Sequence, residues 1–174
     1  MHTRSGILDT PGGLGHKWEN VENGGKVNTL FRKSLHRSLD PKGRLMLPPE
    51  YRDAVASTSA KGVFVLTGFY GRLVGYTVPD WEHNVEQLSS VKLPSLKLSR
   101  FMSKVLGLAE EVATDAQGRI RIPQPLMREA GLVKDAVLVG LGRKFEIWDQ
   151  ARFEALELED VSDELAAGGM DISL

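Results

Sequence analysis

Asp40-Pro41-Lys42-Gly43-Arg44-Leu45-Met46-Leu47-Pro48 is the segment that sets the fold of this chain, because its pattern returns 75 residues later as Asp115-Ala116-Gln117-Gly118-Arg119-Ile120-Arg121-Ile122-Pro123. Aspartate, glycine, arginine and proline recur in register. The signals that follow also match in order: a short helix, an apolar run, a glycine turn, an alternating strand and an acidic, aromatic stretch. A period of this length suits two copies of a small module rather than a solenoid. We therefore interpret the chain as a tandem duplication.

Each copy opens on a tight turn that leads into a short strand. Asp40 can bond its side chain to the backbone ahead of it, Pro41 presets φ, and Gly43 accepts a positive φ. Asp115 and Gly118 suit the same turn without the proline. In the strands that follow, apolar side chains share one face and arginines the other. The apolar set is Leu45, Leu47, Ile120 and Ile122, and the opposite set is Arg44, Met46, Arg119 and Arg121.

The order of signals predicts an α+β, β-rich fold made of two tandem modules, each a small mixed β-barrel or sandwich with peripheral helices. We expect a strand over Phe31–Leu39 before the first turn. An apolar stripe of Leu98, Phe101, Met102 and Val105 recurs at helical spacing and predicts a packing seam. The predicted organisation is a disordered extension or mis-assigned start over 1–26, a first module over 27–92, a second over 93–158, and an acidic tail over 159–174.

Composition excludes several classes of protein. The chain has no cysteine, so disulfides and thiolate metal sites are excluded. No apolar stretch has the length of a membrane span, and the start lacks the pattern of a secretion signal. The net charge of −1 hides a basic segment, 31–52, and an acidic end. The acidic end has no lysine or arginine and contains Glu154, Glu157, Glu159, Asp160, Asp163, Glu164 and Asp171.

Residues that could support catalysis are not grouped in the sequence. His2 and His16 lie in the extension, and His36 and His83 have no partner at metal or triad spacing. No phosphate-binding loop, dinucleotide fingerprint or nucleophile elbow is present. Asp40 and Asp115 could form a carboxylate pair, but their turn position explains them fully. We therefore predict a protein that is not an enzyme and has no cofactor, metal or small-molecule substrate.

The basic residues indicate nucleic-acid binding more than catalysis. An arginine directly after a tight turn projects from the rim of a sheet, where its planar group can reach guanine or phosphate. The alternative for Arg44 and Arg119 is an internal salt bridge to Asp40 or Asp115 that makes the turn rigid. Both roles can hold together, since a braced turn presents its neighbours at a lower entropic cost.

At these residues the sequence resembles the MraZ family of bacterial transcriptional regulators, within the SpoVT-AbrB superfamily. The resemblance runs from Phe31 to about Leu158. It is strongest in the paired Asp-x-x-x-Arg motifs, and segments 129–132 and 145–149 also match. Two departures stand out. The glycine common after Phe-Arg in the family is Lys33 here, and the arginine expected four residues after the motif proline is Arg52 in the first copy but Met127 in the second.

The resemblance implies two swapped-hairpin, double-psi-like AbrB modules per chain, assembled into closed homo-oligomeric rings that bind double-stranded DNA. It implies a cytoplasmic, nucleoid-associated repressor of the division and cell-wall gene cluster that includes its own gene, recognising short G-rich direct repeats. The DNA-binding candidates are Arg32, Lys33, Lys42, Arg44, Arg119 and Arg121. Asp40, Gly43, Asp115 and Gly118 would brace the turns. The alternative function is a structural ring scaffold that binds proteins, and a third, weaker hypothesis is a hydrolase that uses Asp40 and Asp115.

Overall fold

Both halves of the chain follow the same order of elements in the computed structural model, which describes residues 31–170. The first half runs β1 (Ser34–Ser38), β2 (Arg44–Met46), α1 (Pro49–Ala56), β3 (Val63–Phe69), β4 (Arg72–Thr77) and α2 (Val78–Ser89). A connecting helix, α3 (Leu96–Gly107), follows. The second half runs β5 (Glu110–Ala113), β6 (Arg119–Arg121), α4 (Gln124–Ala130), β7 (Asp135–Gly140), β8 (Lys144–Asp149) and α5 (Gln150–Glu154). In the acidic end, α6 spans Ser162–Ala167.

The two halves exchange strands within one six-stranded antiparallel sheet of order β1-β7-β8-β4-β3-β5. The first strand of each half pairs with a strand of the other half. In the first half this strand is β1, which pairs with β7. The first strand of the second half, β5, likewise pairs with β3. At the centre β4 pairs with β8. When corresponding strands of the two halves are exchanged, this order reverses into itself. The sheet therefore has a pseudo-twofold axis between β4 and β8.

The β-barrel predicted for each half is wrong. Within residues 31–170, β1 and β5 are free edges of the sheet, and β2 and β6 pair only with each other. These three-residue strands pair with neither edge, so the sheet is not closed. The fold is α+β with an open sheet and a separate two-stranded ribbon. The AbrB-like character of each half and the boundaries 27–92 and 93–158 stay predictions, and the segment 1–26 lies outside the described residues.

The main core lies between one face of the sheet and a layer made of the ribbon, α1 and α4. Four buried rings meet there, with centroids 4.9 Å apart for Phe31 and Phe145 and 5.5 Å apart for Phe64 and Phe145. Tyr51 of α1 packs against Phe31 and Phe145. The Phe145 ring fits because Gly75 has no side chain: a Cβ there would overlap the ring. This core holds the inner face of the ribbon in place.

Helices α2, α3 and α5 cover parts of the opposite face of the sheet. Trp81 of α2 packs on Tyr76 at 5.7 Å, and the buried Thr67 hydroxyl donates to the carbonyl oxygen of Val105 in α3 at 2.6 Å. The predicted seam of α3 is only partly buried, since Val105 is enclosed but Leu98, Phe101 and Met102 are half-exposed. No helix within residues 31–170 is long and apolar enough to cross a membrane.

The strand expected over Phe31–Leu39 is shorter than predicted. Phe31 makes an isolated antiparallel bridge to Gly142, and β1 begins only at Ser34. The interruption falls at Lys33, whose φ of 69° is left-handed and incompatible with a continuous strand. The stretch before the first turn therefore contains a bend at Lys33.

Candidate nucleic-acid interface

The first turn is braced by the carboxylate of Asp40. One oxygen accepts hydrogen bonds from the backbone N–H groups of Lys42 and Arg44, both at 2.9 Å. The other accepts from Nε of Arg44 at 2.6 Å. The N–H of Gly43 donates to the carbonyl oxygen of Asp40 at 2.9 Å and closes the turn, with φ of 70° at the glycine. The aspartate thereby fixes both the turn and the inner nitrogen of the arginine.

The second turn repeats this geometry without the proline. Asp115 accepts from the backbone N–H groups of Gln117 and Arg119 at 2.9 Å and from Nε of Arg119 at 2.8 Å. The φ of Gly118 is 78°. Since Ala116 stands where the first turn has Pro41, the aspartate and glycine are sufficient to form the turn.

The pKa of each aspartate is lowered. Desolvation raises the pKa of Asp40, but hydrogen bonds from the backbone and side chain of Arg44 and the backbone of Lys42 outweigh it. For the pKa of Asp115 the backbone N–H of Arg119 is the largest cause, opposed by desolvation and reinforced by the Arg119 side chain and the Gln117 backbone. Both groups are therefore charged at neutral pH and neutralise their own arginines.

The two turns lead into one antiparallel ribbon, β2 with β6. Leu45 lies opposite Ile120 at its centre, and both side chains are buried. The carbonyl oxygen of Gly118 accepts from the N–H of Leu47, and that of Gly43 accepts from the N–H of Ile122, both at 3.0 Å. Each turn is thus tied to the strand of the other half, which fixes the turns relative to the ribbon.

The outward face of the ribbon concentrates positive charge. Arg44 lies opposite Arg121, and Met46 lies opposite Arg119. Like charges directly opposite each other destabilise a strand pair. Arg121 is exposed and has no acidic partner among residues 31–170. The turns account for Arg44 and Arg119, which their aspartates neutralise. Protein stability does not explain Arg121, whereas an anionic ligand would.

Arg32 and Lys33 lie before β1, outside the ribbon. The Lys33 ammonium pairs with Glu50 at 3.2 Å, with more than half of each side chain exposed. The carbonyl oxygen of Lys33 accepts from the Tyr51 hydroxyl at 3.0 Å, and burial raises the pKa of Tyr51 to about 12. Glycine adopts the left-handed φ of Lys33 without strain, which fits the glycine expected here from the resemblance. The structure thus gathers Arg44, Arg119 and Arg121 on the ribbon, with Lys42 in the adjoining turn.

Arg52 of α1 is not among the predicted site residues, yet its side chain lies against the second turn. A Cβ on Gly118 would lie 2.7 Å from Cδ and 2.8 Å from Cζ of Arg52. The sequence gives one signal for a role of Arg52, which is its position four residues after the motif proline Pro48. Strand exchange brings α1 of the first half to the turn of the second half, which the sequence alone does not indicate.

The described residues offer little to a catalytic hypothesis. The Asp40 and Asp115 carboxylates are each engaged by their own turn and arginine. No group of histidine and acidic residues within 31–170 could hold a metal ion. A cavity of about 670 Å³ is an apolar groove lined by Phe69, Tyr70, Leu98 and Phe101, remote in sequence from both turns.

The fold and the ribbon define a class of protein: a duplicated α+β chain that presents paired arginine-bearing turns. A family model described as "MraZ protein, putative antitoxin-like" matches residues 30–97 and again residues 105–168. The chain belongs to the MraZ family. That the model matches twice agrees with the duplication seen in the sequence.

Several relatives share most of their length with this chain. The protein named transcriptional regulator MraZ in the Hildenborough strain of Nitratidesulfovibrio vulgaris is 52% identical over 145 residues, which cover 82% of this chain and 97% of that protein. Its namesake in Maridesulfovibrio salexigens is 51% identical with the same coverage. The one in Nitrosomonas europaea is 38% identical over 130 residues, 75% of this chain and 87% of that protein. All three carry the name of a regulator and not of an enzyme.

Proposed function

We propose that this protein is a sequence-specific DNA-binding transcriptional regulator whose β2–β6 ribbon is the DNA-binding surface. The observation that carries the proposal is the outward face of the ribbon, where Arg44, Arg119 and Arg121 gather around Met46. A two-stranded ribbon fits the major groove of B-DNA, and arginine pairs bidentately with guanine there. The regulators among its relatives agree with this proposal.

Within the interface we assign different tasks to different residues. Arg44, Arg119 and Arg121 would reach base edges, because they project from a ribbon that the core and two braced turns make rigid. Lys42 would contact phosphate as a point charge. Arg32 and Lys33, which lie outside the ribbon, would contact phosphates beside the groove. The four turn residues that would hold both turns in shape are Asp40, Gly43, Asp115 and Gly118.

We further propose a repressor that acts on the division and cell-wall gene cluster containing its own gene, at short G-rich direct repeats. Several ribbons on one closed ring would bind a series of repeats, because the first contact raises the effective concentration of the next. Such a protein would work in the cytoplasm on the nucleoid, where its ligand lies.

The apolar groove supports the proposed ring assembly. Tyr70 is 72% exposed at the tip of the β3–β4 hairpin and stacks on Phe101 of α3. A second copy of the chain offers the matching chemistry, since its acidic end carries exposed leucines, Leu156 and Leu158. Contacts between unlike surfaces of successive copies close into rings when the rotation permits. Lys97 and Arg100 line the same groove and would face that acidic end, whereas Lys104 is paired with Glu129 of the same groove.

The second candidate function, a ring scaffold that binds proteins, is favoured by the same groove. In that case the charge on the ribbon would give only nonspecific DNA affinity. The two candidates differ in sequence preference: a regulator prefers its operator over a scrambled duplex of equal length, and a scaffold does not.

A fluorescence-anisotropy titration at stated salt tests the proposal. The protein is titrated with a duplex taken upstream of its own gene and with a scrambled duplex. We expect Arg121→Ala to lower the preference for the operator by roughly 1–3 kcal/mol, the value of a bidentate guanine contact. Arg44→Ala should do the same and also loosen the first turn.

Met46→Ala, on the same face but without charge, is the matched control. Its preference for the operator should stay near that of the unmodified protein. Equal affinity of the unmodified protein for both duplexes would contradict the proposal and favour the scaffold.

A further inference from the structure

The second turn carries a guanidinium group that belongs to the other half of the chain. Arg52 lies so close to Gly118 that a Cβ there would overlap its side chain, with Cδ and Cζ at 2.7 and 2.8 Å from that position. The α1 helix that carries Arg52 is anchored by the buried Tyr51 and Val55. The packing of α1 therefore holds the arginine at the turn.

The side chain of Arg52 has no ionic or hydrogen-bonding partner among residues 31–170. Its Nε atom is buried without a hydrogen bond, the sole buried side-chain nitrogen or oxygen of the described residues in that condition. Arg119, by contrast, is neutralised by Asp115. A buried donor without an acceptor calls for an explanation, such as a water, an ion or a functional role. The geometry of the turn thus combines one compensated arginine with one that lacks a counter-charge.

The first turn also has one cation without an acidic partner among residues 31–170, but a different residue provides it. The pseudo-twofold equivalent of Arg52 is Met127, whose Sδ would lie 3.1 Å from a Cβ on Gly43. Met127 brings no charge, but Lys42 stands in that turn where the second turn has Gln117. The Lys42 side chain is exposed and has no acidic partner among residues 31–170. Each turn therefore has one compensated arginine and one uncompensated cation.

We propose that Arg52 and the Gly118 turn form a phosphate-binding site. Arg52 supplies at the second turn the positive charge that Lys42 supplies at the first turn. The inference rests on the proposed DNA binding and identifies the ligand as a backbone phosphate of the duplex. A guanidinium fork suits phosphate oxygens because it donates in a plane. The two turns then engage the DNA backbone equally although only one contains lysine.

The test compares the salt dependence of DNA binding for Arg52→Met, Lys42→Ala and the unmodified full-length protein, using anisotropy with the operator duplex and a scrambled duplex. Arg52→Met copies the residue that the other half tolerates at this place, so the fold should persist, which thermal unfolding checks. We expect each variant to weaken binding to both duplexes by a similar factor. Each should also reduce the slope of log K against log salt by about one unit per engaged turn.

A double variant that relocates the charge makes the result decisive. Met127→Arg in the Arg52→Met background moves the guanidinium from the second turn to the first and leaves the amino-acid composition unchanged. It should restore the slope of log K against log salt. An Arg52→Met protein that binds DNA with an unchanged slope would overturn the inference but leave the proposed function intact. Loss confined to the operator would overturn the phosphate assignment in favour of base reading. An unmodified protein that binds neither duplex would overturn the proposed function and this site with it.

Discussion

At the scale of single residues, Arg44 shows how one side chain can brace a turn and still have donors to offer. Its Nε is held by Asp40, while its terminal nitrogens make no hydrogen bond within residues 31–170. The sequence alone leaves open whether this arginine contacts a ligand or stabilises the turn. The geometry allows both, because the carboxylate uses one edge of the guanidinium and leaves the others.

Lys33 and Tyr70 are the two non-glycine residues with a left-handed φ among residues 31–170, and Lys33 is the one that interrupts a strand. A non-glycine residue in the left-handed region costs roughly 1–2 kcal/mol, and the ion pair with Glu50 is too exposed to offset much of it. We predict that Lys33→Gly raises the free energy of unfolding by about 0.5 kcal/mol, after the greater freedom of glycine in the unfolded chain is subtracted.

Urea denaturation measures this change, with Glu50→Gln as the control that removes the ion pair but keeps the backbone. The control should change stability little. A loss of stability in Lys33→Gly would mean that the side chain of Lys33 contributes more than its exposed pair suggests.

At the scale of elements, both turns and the faces of the ribbon can be predicted from the sequence. Asp, Gly and the alternation around Leu45 and Ile120 are local signals, each read over a few residues. The sequence does not predict the short β1, because no local signal indicates that Lys33 adopts a positive φ. It does not identify Arg52 as a site residue either, because the contact of Arg52 with Gly118 joins positions far apart in the chain.

The lowered pKa values of Asp40 and Asp115 predict a dependence of stability on pH. A carboxylate whose pKa is lower in the folded than in the unfolded state stabilises the fold above its unfolded value, and this contribution disappears as pH falls through the folded value. The relevant window therefore lies below the ordinary value of 3.8. We predict that Asp40→Asn with Asp115→Asn loses stability at neutral pH and shows a smaller further loss on acidification than the unmodified protein.

Urea unfolding at a series of pH values from neutral to acid measures both effects. Asp163→Asn, in the exposed helix α6, is the matched control and should follow the unmodified protein. Parallel curves for the double variant and the unmodified protein would show that the two turns do not couple to folding in this way.

At the scale of the whole molecule, strand exchange is what brings the two motifs together. Each half gives its first strand to the other side of the sheet, so β2 and β6 meet across the pseudo-twofold axis. The duplication can be recognised from the sequence, but the exchange depends on which strand edges pair over long separations. Two closed units and one interleaved sheet satisfy the same local patterns, and the predicted barrels are wrong for that reason.

Assembly is the prediction that belongs to this scale. If a second copy covers the apolar groove, Phe101→Ser should reduce the oligomer to smaller species and weaken binding to DNA with several repeats more than binding to a single repeat. Multi-angle light scattering at micromolar concentration measures the mass. The control is Leu93→Ser, because the Leu93 side chain is 93% exposed and lies outside the groove. This variant should leave the mass unchanged. A monomeric unmodified protein that binds one repeat as tightly as several would contradict the proposed assembly.

The outward face of the ribbon should be covered when DNA is bound, and thiol protection measures that contact without relying on affinity. The chain has no cysteine, so Met46→Cys places a single thiol at the ribbon, and Gln87→Cys places one on α2 beyond the opposite face of the sheet. The measurement is the rate of maleimide labelling with and without operator duplex. At roughly 90% occupancy we predict that DNA slows labelling of Met46→Cys about tenfold, since only the free protein reacts, and leaves Gln87→Cys unchanged. Protection of Gln87→Cys with undiminished labelling of Met46→Cys would contradict DNA binding at the ribbon.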